Sequence, residues 1–233
     1  LNYGRLARLR LVTGYPGALD WSKDDNAPGN DGSFVVDVKT GARRLLVSYH
    51  QLAAGLKPRY PGVKDIALFI NHTLWNRDGD RVYFFVRGNW DKRGAKINTP
   101  CSIHIDGTGL TLHDMHIGGH PEWAEGHLLI GRQGNKQILY DVDKKKVVGQ
   151  LGTPDIFPKP EGDVSLSPDG KWFVNGYKKG KENRFVVLRR SDGSYARSAG
   201  IDKGSYSGDI RIDPAPRWNR AANAILVPGI AAN

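Results

Sequence analysis

Cysteine and methionine occur once each in these 233 residues. The single thiol, Cys101, excludes an intrachain disulfide, so the fold must be held by its own core. No apolar run approaches the roughly 20 residues that cross a bilayer, which argues against a membrane partner. The first residues show no leader pattern, and an N-terminus missing from the chain would take one with it. No stretch of about ten or more residues carries apolar positions at helical spacing; Leu52-Ala53-Ala54-Gly55-Leu56 promises a short turn at most. A Gly-x-Ser-x-Gly nucleophile motif is absent, which weighs against a hydrolase or a peptidase-associated protein. No nucleic-acid-binding motif is recognisable, so nucleic acid is not the expected partner.

What is present is glycine, proline and positive charge. Hydrophobic residues make up 39%, with 29 Gly and 13 Pro, which suits a turn-rich globule that can bury a core. The net charge is +10. Its carriers are spread along the chain, among them Arg5, Arg8, Arg10, Lys92, Arg93 and Lys144 to Lys146, and read as a solvated surface. Such a surplus favours polyanionic partners.

Four segments repeat one pattern of short strand, polar turn and apolar strand. They centre on His72-Thr73-Leu74-Trp75, His120-Pro121-Glu122-Trp123, Ser167-Pro168-Asp169-Gly170 and Arg217-Trp218-Asn219. Trp75, Trp123, Pro168 and Trp218 follow one another by 48, 45 and 50 positions. Between them lie hairpin signals, in which alternating apolar residues flank Gly or Asp turns. These are Phe34–Val38 with Arg44–Val47, Ser102–Ile105 with Leu110–Leu112, Ile138–Val142 with Val147–Val148, and Phe185–Leu188 with Ser194–Ala196. A period in the forties built of short strands predicts an all-β protein, a β-propeller of four-stranded blades. Inner strands are expected near Ala67–Asn71, Gly126–Gly131 and Trp172–Asn175. The count of about four blades sits at the low end of closed rings of roughly 4–8. Residues 1–233 are therefore expected to be a single propeller domain, incomplete at both ends; a compact five-bladed form is the alternative.

His50, His72 with Trp75-Asn76, the run Gly118-Gly119-His120-Pro121-Glu122-Trp123, Ile130-Gly131-Arg132-Gln133-Gly134-Asn135 and Ser167-Pro168-Asp169-Gly170 resemble the propeller polysaccharide lyases, the oligogalacturonate and ulvan lyases. The likeness runs from about residue 34 to the end of the chain. It implies a segment of a seven-bladed ring with a substrate canyon. It also implies β-elimination on a uronic-acid polysaccharide, an anionic polysaccharide partner, a monomer, and a secreted or periplasmic location. In ulvan lyases it implies two histidines, a tyrosine and an arginine. Here His50 and His72 stand 22 apart and Arg132 follows His116 by 16, so His116 occupies the tyrosine's place.

The chemistry asks for those residue types. A base removes the proton beside the carboxylate and an acid protonates the leaving glycosidic oxygen. A cation stabilises the charge that grows on the carboxylate. Histidine titrates in the useful range, and the planar fork of arginine fits a carboxylate. His50, His72, His116 and Arg132 are thus the candidate catalysts, expected to converge on one groove. Which histidine is base and which is acid stays open.

The tryptophans of the repeat (Trp75, Trp123, Trp172, Trp218) read as blade core, whereas Trp21, Trp90 and Tyr177 are candidate substrate contacts. Cys101, His113 and His120 are candidate ligands for one divalent metal ion, zinc or manganese. Unliganded histidines and a buried thiol are the plainer alternative, and no organic cofactor is expected. A non-catalytic propeller that binds glycans or proteins competes with the lyase.

Overall fold

The computed structural model describes residues 1–10, 17–90 and 95–230, and of Asp209 the backbone alone. Lys92 and Arg93 lie outside the described residues. The chain divides into two compact units, Leu1–His116 and Ile117–Asn233.

In the first unit, helix α1 (Tyr3–Arg10) precedes the hairpin of β1 (Gly32–Val36) and β2 (Arg43–Ser48). Helix α2 (Tyr49–Leu56) follows. Strands β3 (Phe69–Trp75), β4 (Arg81–Gly88), β5 (Ile97–His104) and β6 (Thr111–Leu112) then form one four-stranded antiparallel meander.

The second unit holds the meander of β7 (Gly118–Trp123), β8 (Leu128–Gln133), β9 (Lys136–Asp141) and β10 (Lys146–Leu151). Next come β11 (Val164–Leu166), β12 (Trp172–Lys179), β13 (Glu182–Arg189) and β14 (Tyr195–Arg197), with β15 (Ile201–Asp202) also on β13. A small ladder pairs β16 (Arg217–Trp218) with β17 (Ile225–Leu226). The fold is all-β: among the described residues, two sheets are four-stranded antiparallel meanders of the kind that make propeller blades, as the repeat predicts, while β11 to β15 form a five-stranded sheet and the two remaining ladders are two-stranded. Every predicted hairpin is present.

Two expectations need correction. The stretch after Ser48 is a full helix, not a short turn. Ser48 caps it by accepting the Gln51 N–H, while the Gln51 side chain accepts the Ser48 N–H, a reciprocal box that satisfies otherwise orphaned donors. The second is Arg5, assigned by sequence to the solvated surface. It is fully buried in α1 and donates to Leu68 O (2.6 Å), Ser22 O (3.1 Å), Asp25 O (3.0 Å) and Asn26 O (2.6 Å).

Strand β4 explains how the first unit separates core from site. Alternate residues of a strand face opposite ways. Val82, Phe84 and Val86 enter the core with Leu52 and Leu56 of α2. Tyr83, Phe85 and Arg87 take the other face. The second unit has its own core around Ile130, Phe173, Val186 and Leu188.

Gly176 of β12 carries a tight packing constraint. A Cβ there would stand 2.0 Å from the Pro214 carbonyl oxygen. Gly176→Ala must displace that backbone and is expected to cost about 1–3 kcal/mol. The midpoint of urea unfolding measures it, and an unchanged midpoint contradicts the packing.

Candidate functional site

His72 interrupts β3. Its φ is +54°, the left-handed region that non-glycine residues avoid, and the register with β4 slips between Asn71 and Leu74. Such a bulge re-aims a side chain at a cost of about 1–3 kcal/mol, and strain of this kind gathers at functional sites. The His72 ring meets Phe85 of β4 edge-on, with centroids 6.0 Å apart.

Phe85 organises the rest of that face. His116 lies 5.7 Å from it and Tyr83 5.5 Å, centroid to centroid. The Arg87 guanidinium carbon sits 5.0 Å from its centroid. Tyr83 in turn is 6.3 Å from His113, whose Nε2 is 3.0 Å from Ser102 Oγ. Two histidines, a tyrosine and an arginine therefore surround one buried phenylalanine. A cavity of about 360 Å³ adjoins them, lined in part by Arg59, Tyr60, Asn98, His113 and His116. Arg59 is ion-paired with Asp114 and donates to the His113 carbonyl at 3.1 Å. The size is at the lower end for a small-ligand pocket.

No family model and no curated protein matches the chain. Among solved structures, it is similar to a protein assigned as TolB from Agrobacterium tumefaciens, at 12% identity and a TM-score of 0.37, over 84% of this chain and 78% of that one. A protein assigned as 6-phosphogluconolactonase from Bacteroides fragilis aligns at 13% identity and a TM-score of 0.38, over 70% and 48%. A luciferin-regenerating enzyme aligns at 12% and 0.42, over 75% and 53%. The chain spans about half the length of the latter two. At these values the likenesses say nothing of chemistry.

The other sequence-predicted residues are placed as follows. His50 is exposed on the first turn of α2, and its backbone N–H donates to Pro28 O at 3.2 Å. Arg132 is the penultimate residue of β8 in the second unit, its side chain 40% exposed, with the Glu161 carboxylate at 3.9 Å. Trp21 is exposed. Trp90 carries cations on its ring and has Phe69 edge-on at 6.3 Å. Tyr177 is not a surface contact: it is buried in the second unit's core with Phe173 and Val186. Among the repeat tryptophans, Trp123 is buried as expected, but Trp75 is 53% exposed and is not blade core.

The metal assignment also changes. Cys101 and His113 do come near one another in the strand pairing, since Cys101 of β5 pairs with Leu112 and His113 follows the end of β6 directly. Yet the buried thiol lies 3.7 Å from Thr99 O, and burial raises its pKa far above the usual thiol range, which disfavours the thiolate that a metal needs. His113 is engaged with Ser102, and His120 Nδ1 stands 3.2 Å from Asp163 in the second unit. These three residues do not make a metal centre.

Among the described residues, the group close enough to share an ion is His127, Asp141 and Asp143. Its geometry is that of a charged turn. His127 presents Nε2 to Asp141 (3.3 Å) and Nδ1 to Asp143 (3.6 Å), and Lys144 Nζ already holds Asp141 at 2.9 Å. Burial opposes ionisation of Asp141, but hydrogen bonds from Lys144 outweigh it and hold the carboxyl below its usual range. An ion there would have to displace that lysine.

Sequence reasoning missed Tyr83, Phe85 and Arg87. Their signal was the arginine at the end of the apolar run Val82-Tyr83-Phe84-Phe85-Val86, which marks one face of the strand as different from the other.

Proposed function

We propose that this chain is a polysaccharide lyase that cleaves a uronic-acid-containing anionic polysaccharide, ulvan-like or pectic, by β-elimination. The observation that carries the reading is His72, held in a strained bulge against Phe85 with His116 and Tyr83 around the same ring. Strain at a histidine buys nothing for a core, whereas it suits a side chain that must be aimed. The basic surplus fits the polymer, and an enzyme of this kind works where the polymer is, outside the cytoplasm.

In this mechanism one histidine, unprotonated, takes the proton from the carbon beside the carboxylate. A second proton carrier, His116, Tyr83 or His50, gives its proton to the leaving glycosidic oxygen. The electrons of the broken C–H bond form the double bond as the C–O bond breaks. An arginine stabilises the charge that passes through the carboxylate, and the resemblance assigns that task to Arg132.

The test is ultraviolet absorbance during incubation with ulvan, polygalacturonate or glucuronan. Elimination makes an unsaturated uronate that absorbs; hydrolysis and binding do not. Arg132→Lys keeps the charge and loses the two-point fork, so turnover falls by about tenfold or more while KM changes little. Binding of these polymers without new absorbance would make the chain a glycan-binding propeller instead.

A further inference from the structure

Arg87 is a buried cation with no anionic partner among the described residues. It is only 8% exposed. Its Nε donates to the neutral Asn98 Oδ1 at 2.8 Å, and among the described residues no carboxylate pairs with it. An uncompensated buried guanidinium is costly. Burial, with the charge of Arg10 adding to it, pulls its pKa down to about 10.

The surroundings add positive charge. The indole of Trp90 has the Arg87 guanidinium carbon 4.5 Å from its centroid, Lys96 Nζ at 5.2 Å and the Arg10 guanidinium carbon at 5.5 Å. Three cations gather on one ring. Cation–π attraction holds each of them there, at about 0.5–2 kcal/mol apiece, but gives the buried Arg87 guanidinium no counter-charge. A multiply bonded anion would supply one. Phe85 and Trp90 both lie against the Arg87 guanidinium, which leaves its planar edge as the direction for a ligand. That edge is the fork that grips an oxyanion at two points.

The geometry points to an oxyanion-binding site formed by Arg87, Arg10 and Lys96 around Trp90, which takes a sulfate-ester or carboxylate group. Arg87 supplies the two-point contact, and Lys96, which is exposed, supplies charge at the rim. The site stands apart from the lyase reading: an oxyanion binds here whether or not the chain cleaves anything.

Thermal unfolding and tryptophan fluorescence of the full chain test it, with sodium sulfate and sodium glucuronate titrated against sodium chloride at matched ionic strength. At least one of the two anions is expected to stabilise the protein saturably beyond chloride. Saturation by sulfate alone identifies a sulfate-ester site, by glucuronate alone a carboxylate site, and by both a general oxyanion site. Arg87→Gln should weaken binding by about tenfold or more, and Lys96→Ala by roughly threefold. If Arg87→Gln does not fold, Lys96→Glu decides: it sets a competing carboxylate at the rim and should abolish binding. Saturation by neither anion overturns the site. So does a folded Arg87→Gln, or a Lys96→Glu, that binds as the wild type does.

Discussion

His72→Ala is expected to lower the elimination rate by about 10²–10⁴-fold, the range for loss of a positioned proton carrier. The effect should fall on turnover, since the ring acts on the reacting proton and not on the bulk of the polymer. A structural histidine could also lose activity on mutation if the strand collapsed, so a second variant separates the two. His72→Gly removes the same ring but tolerates φ +54° without strain. It should be more stable than His72→Ala by about 1 kcal/mol, and equally inactive. The pH profile adds a third readout. A histidine base works only unprotonated, so the wild-type rate falls toward acid pH. Rates near wild type in either variant would remove His72 from the mechanism, even with the fold unchanged.

The blades were readable because their signals are local. Alternation and Gly or Asp turns mark each hairpin, and the spacing of the repeats joins them into meanders. What failed was whatever depended on a partner far along the chain. Trp75 and Trp123 hold the same place in their repeats, yet one is exposed and the other buried. A repeat pins where a residue sits in its strand, not what packs over it. The capping box at Ser48 and Gln51 was legible but lay at the end of a convincing strand, so α2 read as a turn. His72 was singled out from its neighbour Trp75. The reason it matters, a left-handed backbone inside a strand, has no signature in a sequence without a glycine there. Cys101 was correctly set in the hairpin, with His113 one residue past its second strand, but only side-chain directions reveal that each already has another partner.

Arg5→Met is expected to destabilise the protein by about 3–5 kcal/mol, the range for breaking a buried charge network, with a fall in Tm of roughly 10 °C or more. The guanidinium donates to four backbone carbonyls and to Ser22 Oγ, and lies 4.6 Å from the centroid of Tyr49. Its negative complement is one step removed. Asn2 Nδ2 donates to Asp20 (3.0 Å) and Asp31 (2.8 Å), and Ser22 Oγ to Asp31 (2.6 Å). Methionine would fill much of the volume but leave the carbonyls of Leu68, Ser22, Asp25 and Asn26 without their donor, and buried acceptors left unpaired carry the full desolvation penalty. Arg5→Lys separates charge from geometry: it restores the cation but reaches only some of those oxygens, so it should recover part of the loss. Wild-type Tm in Arg5→Met would show that the network is not what holds α1. The consequence extends to the site. Leu68, the acceptor of the 2.6 Å bond from Arg5 Nε, immediately precedes β3, the strand that bulges at His72. Strain at His72 persists only while the chain on either side is held. Arg5 is the clamp on the N-terminal side, so its loss should relax the bulge and lower activity at temperatures where the chain is still folded.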